Sequence, residues 1–139
     1  MNISLINYKT FSGKYIIYEQ NGKGKEYDYN GHIIYEGEYL NGERNGKGKE
    51  YIFGDLEFEG EYLNGERNGK GKEYNSFGKL IFEGEYLYGK RNGKGKEYNN
   101  YSELRFEGQY LNDERWKRNF YDENGNIMYE LNKENNKVK

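Results

Sequence analysis

The sequence predicts an all-β protein, an elongated open ribbon (solenoid) of about five antiparallel β-hairpin repeats of 23–24 residues. Three observations carry that prediction. The block Tyr35-Glu36-Gly37-Glu38-Tyr39-Leu40-Asn41-Gly42 recurs as Phe58 to Gly65, Phe82 to Gly89 and Phe106 to Asp113, at offsets of 23, 24 and 24 residues. A second block, Gly46-Lys47-Gly48-Lys49-Glu50-Tyr51, recurs from Gly69 and from Gly93, with an earlier copy from Gly22. The composition, with 17 Tyr, seven Phe, 20 Gly, 19 Asn, no Ala and no Pro, favours strands and tight turns over helices. A mean hydropathy of −1.31 would otherwise suggest disorder. Aromatic rings at this density supply the missing core, because each buries far more area than an aliphatic side chain.

In chain order, a single array spans residues 1–139. Residues 1–10 read as an N-terminal cap strand, and 11–34, 35–57, 58–81 and 82–105 as repeats. Residues 106–131 form a degenerate C-terminal cap repeat, and 132–139 a polar, fraying tail. The N-terminal segment Ile3-Ser4-Leu5-Ile6-Asn7-Tyr8 is uncharged and strand-prone. It is expected either to fold back as a cap or to pair with another chain. The first unit carries Tyr18 where its successors have a turn glycine. The last replaces Gly-Lys-Gly with Trp116-Lys117-Arg118 and continues through Phe120-Tyr121 to Asn124-Gly125. Atypical terminal units are expected of caps. Two strands per unit give about ten strands, or roughly 48 Å at about 4.8 Å each.

Within a unit, alternation puts Leu80, Phe82, Gly84 and Tyr86 on one face and Glu83 and Glu85 on the other. On the returning strand Gly93 and Gly95 share a face, as do Lys94 and Lys96, after a turn-like connector, Tyr88 to Asn92. This predicts a trough without side chains into which rings lie, and an outer face on which Glu83 and Glu85 oppose Lys94 and Lys96. The repeat core is then Tyr39, Tyr62, Tyr86 and Tyr110 with Gly46, Gly48, Gly69, Gly71, Gly93 and Gly95.

The spacing Tyr-x-Gly-x-Tyr-x-x-Gly-x-x-x-Gly-x-Gly, at Tyr35, Gly37, Tyr39, Gly42, Gly46 and Gly48, closely resembles the MORN (membrane occupation and recognition nexus) repeat. The resemblance covers roughly residues 11–130, and the family favours Trp or Tyr where Tyr39, Tyr62, Tyr86 and Tyr110 stand. The C-terminal cap is similar to a variant found in bacterial antitoxin-like proteins. The resemblance implies a ribbon of successive hairpins. It also implies binding roles, toward phospholipid, toward protein or toward a second copy of the chain.

Charge and composition narrow the chemistry. With 22 basic and 24 acidic residues, net −2, the chain lacks the basic excess of a nucleic-acid binder. No cysteine and a single histidine, His32, argue against disulfides, metal sites and histidine catalysis, so no cofactor, metal or small-molecule substrate is expected. Gly46-Lys47-Gly48-Lys49 lacks the spacing of a phosphate loop. Asp122 to Asn126 puts its glycine in the wrong place for a calcium loop and reads as a turn. Carboxylate pairs such as Glu59 with Glu61 and Glu83 with Glu85 recur in every unit, unlike a catalytic pair. His32 reads as an exposed linker residue. The absence of an apolar span and of a signal peptide predicts a cytoplasmic location, with peripheral association at a membrane or cytoskeleton as the alternative.

The candidate partner-binding residues are Tyr27, Tyr51, Tyr74 and Tyr98, which fall out of phase with the glycines. They either pack against the next linker, near Phe53 or Phe77, or form a tyrosine ladder for a partner. The functional expectation is a non-catalytic scaffold for protein–protein interaction, including self-association. One alternative is a peripheral phospholipid-binding module, and a second is an antitoxin- or immunity-like binding protein. Net charges of +1, −3, 0, +1 and −1 over residues 1–34, 35–57, 58–81, 82–105 and 106–139 contain no basic cluster of the kind that recognises anionic lipid.

Overall fold

The computed structural model describes residues 6–11 and 13–132. They form one 12-stranded antiparallel sheet whose strands lie in chain order. The strands are β1 (Ile6–Phe11), β2 (Lys14–Glu19), β3 (Lys23–Asp28), β4 (Ile33–Leu40), β5 (Glu43–Ile52) and β6 (Asp55–Leu63). They continue as β7 (Glu66–Tyr74), β8 (Leu80–Leu87), β9 (Lys90–Tyr98), β10 (Leu104–Leu111), β11 (Glu114–Tyr121) and β12 (Ile127–Asn132). The architecture is the all-β open ribbon of hairpin repeats read from the sequence. There are twelve strands rather than about ten, because β1 adds one at the start and the C-terminal unit contributes three. The described part of the N-terminal segment folds back, with Ile6 opposite Glu19 and Tyr8 opposite Ile17. Ile3, Ser4 and Leu5, and the tail beyond Asn132, lie outside the described residues.

Two kinds of turn occupy the two long edges. After β4, β6 and β8, two-residue turns place both residues in the left-handed region, as at Asn41 (φ 52°) and Gly42 (φ 78°). That geometry matches the strands' twist. Most turns of the opposite edge are five-residue loops closed by a side chain. Asp28, Asn75, Asn99 and Asp122 each accept, through Oδ1, the N–H groups two and four residues on. The stretch Tyr88 to Asn92, read as a connector, contains only a two-residue turn, and Lys90 already belongs to β9.

A row of glycines crosses the sheet. Gly24, Gly37, Gly48, Gly60, Gly71, Gly84, Gly95 and Gly108 pair in succession from β3 to β10. On one face the aromatic rings lean over this seam from both sides. Tyr39, Tyr35, Tyr62, Phe58, Tyr86, Phe82, Tyr110 and Phe106 form an unbroken zigzag of edge-to-face contacts with centroids 5.2–5.9 Å apart. The rings are 0–4% exposed. A Cβ on Gly71 would stand 2.5 Å from Phe58 Cε2, and one on Gly95 2.7 Å from Tyr110 Cε2. Only a backbone without side chains lets rings approach so closely.

Gly46, Gly69 and Gly93 have a different task from the ring seat expected of them. Each lies in a bulge of two extra residues, at φ +90°, +101° and +100°, and a Cβ there would meet the side chain of Glu38, Glu61 or Glu85. Glycine serves the backbone at these sites, not the rings. The bulges also move the charge pairing. Glu83 faces Lys96 within its hairpin, whereas Glu85 is registered with Lys70 of the preceding strand instead of Lys94.

Candidate binding surface

The ring face is closed by its own side chains. The guanidinium carbons of Arg44, Arg67, Arg91 and Arg115 lie 4.1, 3.9, 3.9 and 4.4 Å from the centroids of Tyr35, Phe58, Phe82 and Phe106. The hydroxyls of Tyr39, Tyr62 and Tyr86 donate to Glu26, Glu50 and Glu73 at 2.5–2.6 Å. The same carboxylates accept Nε–H of Arg44, Arg67 and Arg91 at 2.6–2.8 Å. Glu26 is almost fully buried and also takes Lys14 Nζ at 2.5 Å. Burial alone would raise its pKa. The Arg44 fork, Lys14 and the Tyr39 hydroxyl instead hold it down to about 2. Burial, aided by the neighbouring carboxylates, pushes the hydroxyls of Tyr39, Tyr62 and Tyr86 well above their ordinary range. The hydroxyls of Tyr39, Tyr62 and Tyr86 and the carboxylates of Glu26, Glu50 and Glu73 are paired with one another and with arginines, so this face holds the fold together.

The arginines were missed in the sequence reading, although Arg44, Arg67, Arg91 and Arg115 recur at the same offsets of 23, 24 and 24. The repeat itself was the available signal.

The opposite face is open. Lys25, Glu36, Lys49, Glu59, Lys72, Glu83, Lys96 and Glu107 form one row across consecutive strands, alternating in charge. Two residues further along the strands Lys47, Lys70 and Lys94 align with Glu61, Glu85 and Gln109. Together they line a groove of about 1480 Å³ running from Glu19 to Gln109, with the glycine seam in its lining. Eight glutamates and eight lysines line it.

The carboxylates are engaged by the protein itself. Glu36, Glu59 and Glu83 accept the hydroxyls of Tyr51, Tyr74 and Tyr98 at 2.6 Å. Glu38, Glu61 and Glu85 accept the bulge N–H groups of Lys47, Lys70 and Lys94 at 2.5–2.8 Å. Among the described residues, no ion pair joins the groove lysines to these glutamates. The expected cross-strand salt bridges are therefore present as register but not as contacts, because tyrosines and backbone amides hold the carboxylates.

Tyr27, Tyr51, Tyr74 and Tyr98 all lie on this groove face, half-buried. Tyr51, Tyr74 and Tyr98 reach back over a glutamate of the preceding strand, not toward the next linker. Tyr27 stacks on Tyr15 with centroids 5.3 Å apart and itself lines the groove. Burial, then the bonded carboxylate, pushes the Tyr51, Tyr74 and Tyr98 hydroxyls up to about 12. Alternation places the half-exposed Leu40, Leu63, Leu87 and Leu111 on the same face, on the far side of the charged rows. His32 is exposed, with Nδ1 3.0 Å from Asp28 Oδ2. Among the described residues no group of three or more His, Asp or Glu is arranged to hold a metal ion.

The family model of the MORN repeat matches residues 35–52, 58–76 and 82–102. No curated protein matches the chain.

Proposed function

Because three consecutive MORN repeats make up residues 35–102 of this chain, we propose that the array is a non-catalytic scaffold that seats a protein partner in its lysine–glutamate groove. MORN repeats are non-enzymatic modules that bind proteins or membranes. The observation that carries the protein reading is the groove's unequal use of its charges. Among the described residues its lysine ammoniums enter no ion pair, while Glu36, Glu38, Glu59, Glu61, Glu83 and Glu85 accept from tyrosines and amides. A tyrosine column flanks the charged rows on one side and a leucine column on the other, the mixture of aromatic, aliphatic and charged groups that protein interfaces use. Equal numbers of lysines and glutamates favour a partner carrying both signs over an anionic membrane, which calls for four to eight clustered basic residues.

The test compares the wild-type chain with Lys49→Glu/Lys72→Glu/Lys96→Glu in native lysate and on vesicles of phosphatidylcholine or of phosphatidylserine. The protein reading expects a defined set of captured proteins that the triple variant loses, with no binding to either vesicle type. Capture unchanged by the triple variant removes the groove from the reading. Binding only to phosphatidylserine vesicles overturns it in favour of lipid.

A further inference from the structure

Each odd-numbered strand from β3 to β9 sets two lysines on the groove face, one on either side of its seam glycine. Lys47 and Lys49 flank Gly48, Lys70 and Lys72 flank Gly71, and Lys94 and Lys96 flank Gly95. Lys23 and Lys25 stand in the same way beside Gly24. These lysines are exposed and, among the described residues, enter no ion pair. A Cβ on Gly71 or Gly95 would project into the rings of the opposite face. Between its lysines the groove floor is therefore bare backbone, which another chain can approach closely.

The lysine pairs recur at every second strand, about 9.6 Å apart, with the glutamates of β6 and β8 halfway between them. A ligand of evenly spread charge meets both signs equally, so net attraction requires charges that recur at the groove's own spacing. An extended strand returns to one face every 6.6 Å or so. An α-helix covers 9.6 Å in about 6.4 residues, or about 1.8 turns, which brings no side chain back to the same face. A polyproline II helix turns once in three residues and about 9.3 Å. Over four lysine pairs its mismatch accumulates to only about 0.9 Å. Tyr51, Tyr74 and Tyr98 stand beside the lysines, two residues further along the same strands. Aromatic-lined grooves are where proline-rich segments of this conformation dock.

We propose that the groove takes a polyproline II segment of its partner, built of triplets of an acidic residue, a proline and a basic residue; this rests on the reading of the groove as a protein site. Each acid enters a lysine pair, and the prolines lie against the tyrosine column. The long basic side chains reach the glutamates halfway between. A carboxylate has about four acceptor sites, so Glu59 and Glu83, each holding a tyrosine hydroxyl, still accept a cation's N–H. Proline fixes its own φ and keeps the acid before it out of the helical region. The segment thus arrives already in its bound shape, which lowers the entropy lost on binding.

The test is fluorescence anisotropy on the full chain with a labelled peptide of four Glu-Pro-Lys triplets, neutral overall. Its control holds the same residues sorted into a glutamate block, a proline block and a lysine block, so charge and composition match and only the period differs. The triplet peptide should bind at least about tenfold more tightly than the block peptide, and added salt should weaken it. Lys49→Glu/Lys72→Glu/Lys96→Glu should weaken it at least about tenfold while keeping the wild-type melting temperature, since these side chains are exposed. Equal binding of the two peptides by wild type overturns the proposal, whatever the variant does. So does a helical peptide with glutamate at every seventh residue that binds more tightly than the triplets. No binding of the triplets up to about 1 mM overturns this occupant alone if the triple variant still loses its captured proteins from lysate. Lysate capture indifferent to the triple variant overturns the groove reading with it.

Discussion

Arg67 sits over the face of Phe58, its guanidinium carbon 3.9 Å from the ring centroid, while its Nε–H donates to Glu50 at 2.6 Å. One side chain therefore covers a core ring and ties the strand that bears Glu50 to the one that bears the arginine. A single-layered sheet has no second layer to cover its rings, and here the arginines take that part.

Arg67→Lys keeps the charge but loses the planar fork and the stacked geometry. We expect a loss of about 1–2 kcal/mol, read by urea denaturation. A lysine variant as stable as wild type would show that charge alone, not the covering of Phe58, matters.

Gly95→Val drives a side chain into Tyr110 and Phe82, whose nearest carbons stand 2.7 and 2.9 Å from an added Cβ. The expected cost is on the order of 1–3 kcal/mol or more. Gly54→Asn is the control. No atom lies within 4 Å of a Cβ there, and asparagine accepts its φ of +86°, so a change within about 0.5 kcal/mol is expected. Equal melting temperatures for Gly95→Val and wild type would refute the seam as a ring seat.

Acid should loosen the N-terminal end of the array. Glu26 has its pKa lowered from 4.5 to about 2, so the folded state binds its proton less readily than the unfolded chain does. Its contribution is complete above pH 4.5 and is lost as pH falls toward 2. Glu26→Gln should flatten stability over that window. It should also cost about 3–5 kcal/mol at neutral pH, because Arg44 and Lys14 lose their buried partner. Stability with the same acid slope in both proteins would contradict this assignment.

Alkali acts on the other face. The hydroxyls of Tyr51, Tyr74 and Tyr98, raised from 10.0 to about 12, stay protonated longer in the folded chain than in the unfolded one. Their contribution is whole below pH 10 and disappears as pH rises through about 12. Absorbance titration of tyrosinate should show the same amplitude near pH 10 for wild type and for Tyr51→Phe/Tyr74→Phe/Tyr98→Phe, the variant losing three tyrosines only from the step near pH 12. If those three ionise at the ordinary value in the wild-type chain, their bonds to Glu36, Glu59 and Glu83 are not formed in solution.

The trough was legible because alternation and a 24-residue period together leave one face for Phe82, Gly84 and Tyr86. The two tasks of Gly93 and Gly95 were not. A bulge of two residues preserves alternation, so a bulge glycine and a ring-seating glycine look alike from spacing. Arg91 disappeared into a supposed connector because five residues were given to a turn that uses two. The partners of Glu83 depend on where Tyr98 reaches, which is a matter of side-chain direction and not of period. The strand count slipped at the ends, where Ile6–Phe11 and Ile127–Asn132 carry no copy of either block.

The unbroken ring zigzag gives the molecule the character of a ruler. Tyr62 of one unit closes over Tyr35 of the unit before it, and Tyr86 over Phe58 in the same way, so the joint between units is the same joint each time. Chain length is thereby converted into physical length at a fixed rate, one hairpin for about 9.6 Å. Inserting or removing a whole unit would change the distance between the two ends in steps of that size and leave each end's surface as it was. A partner gripping two points along the array would register the number of units between them as a distance.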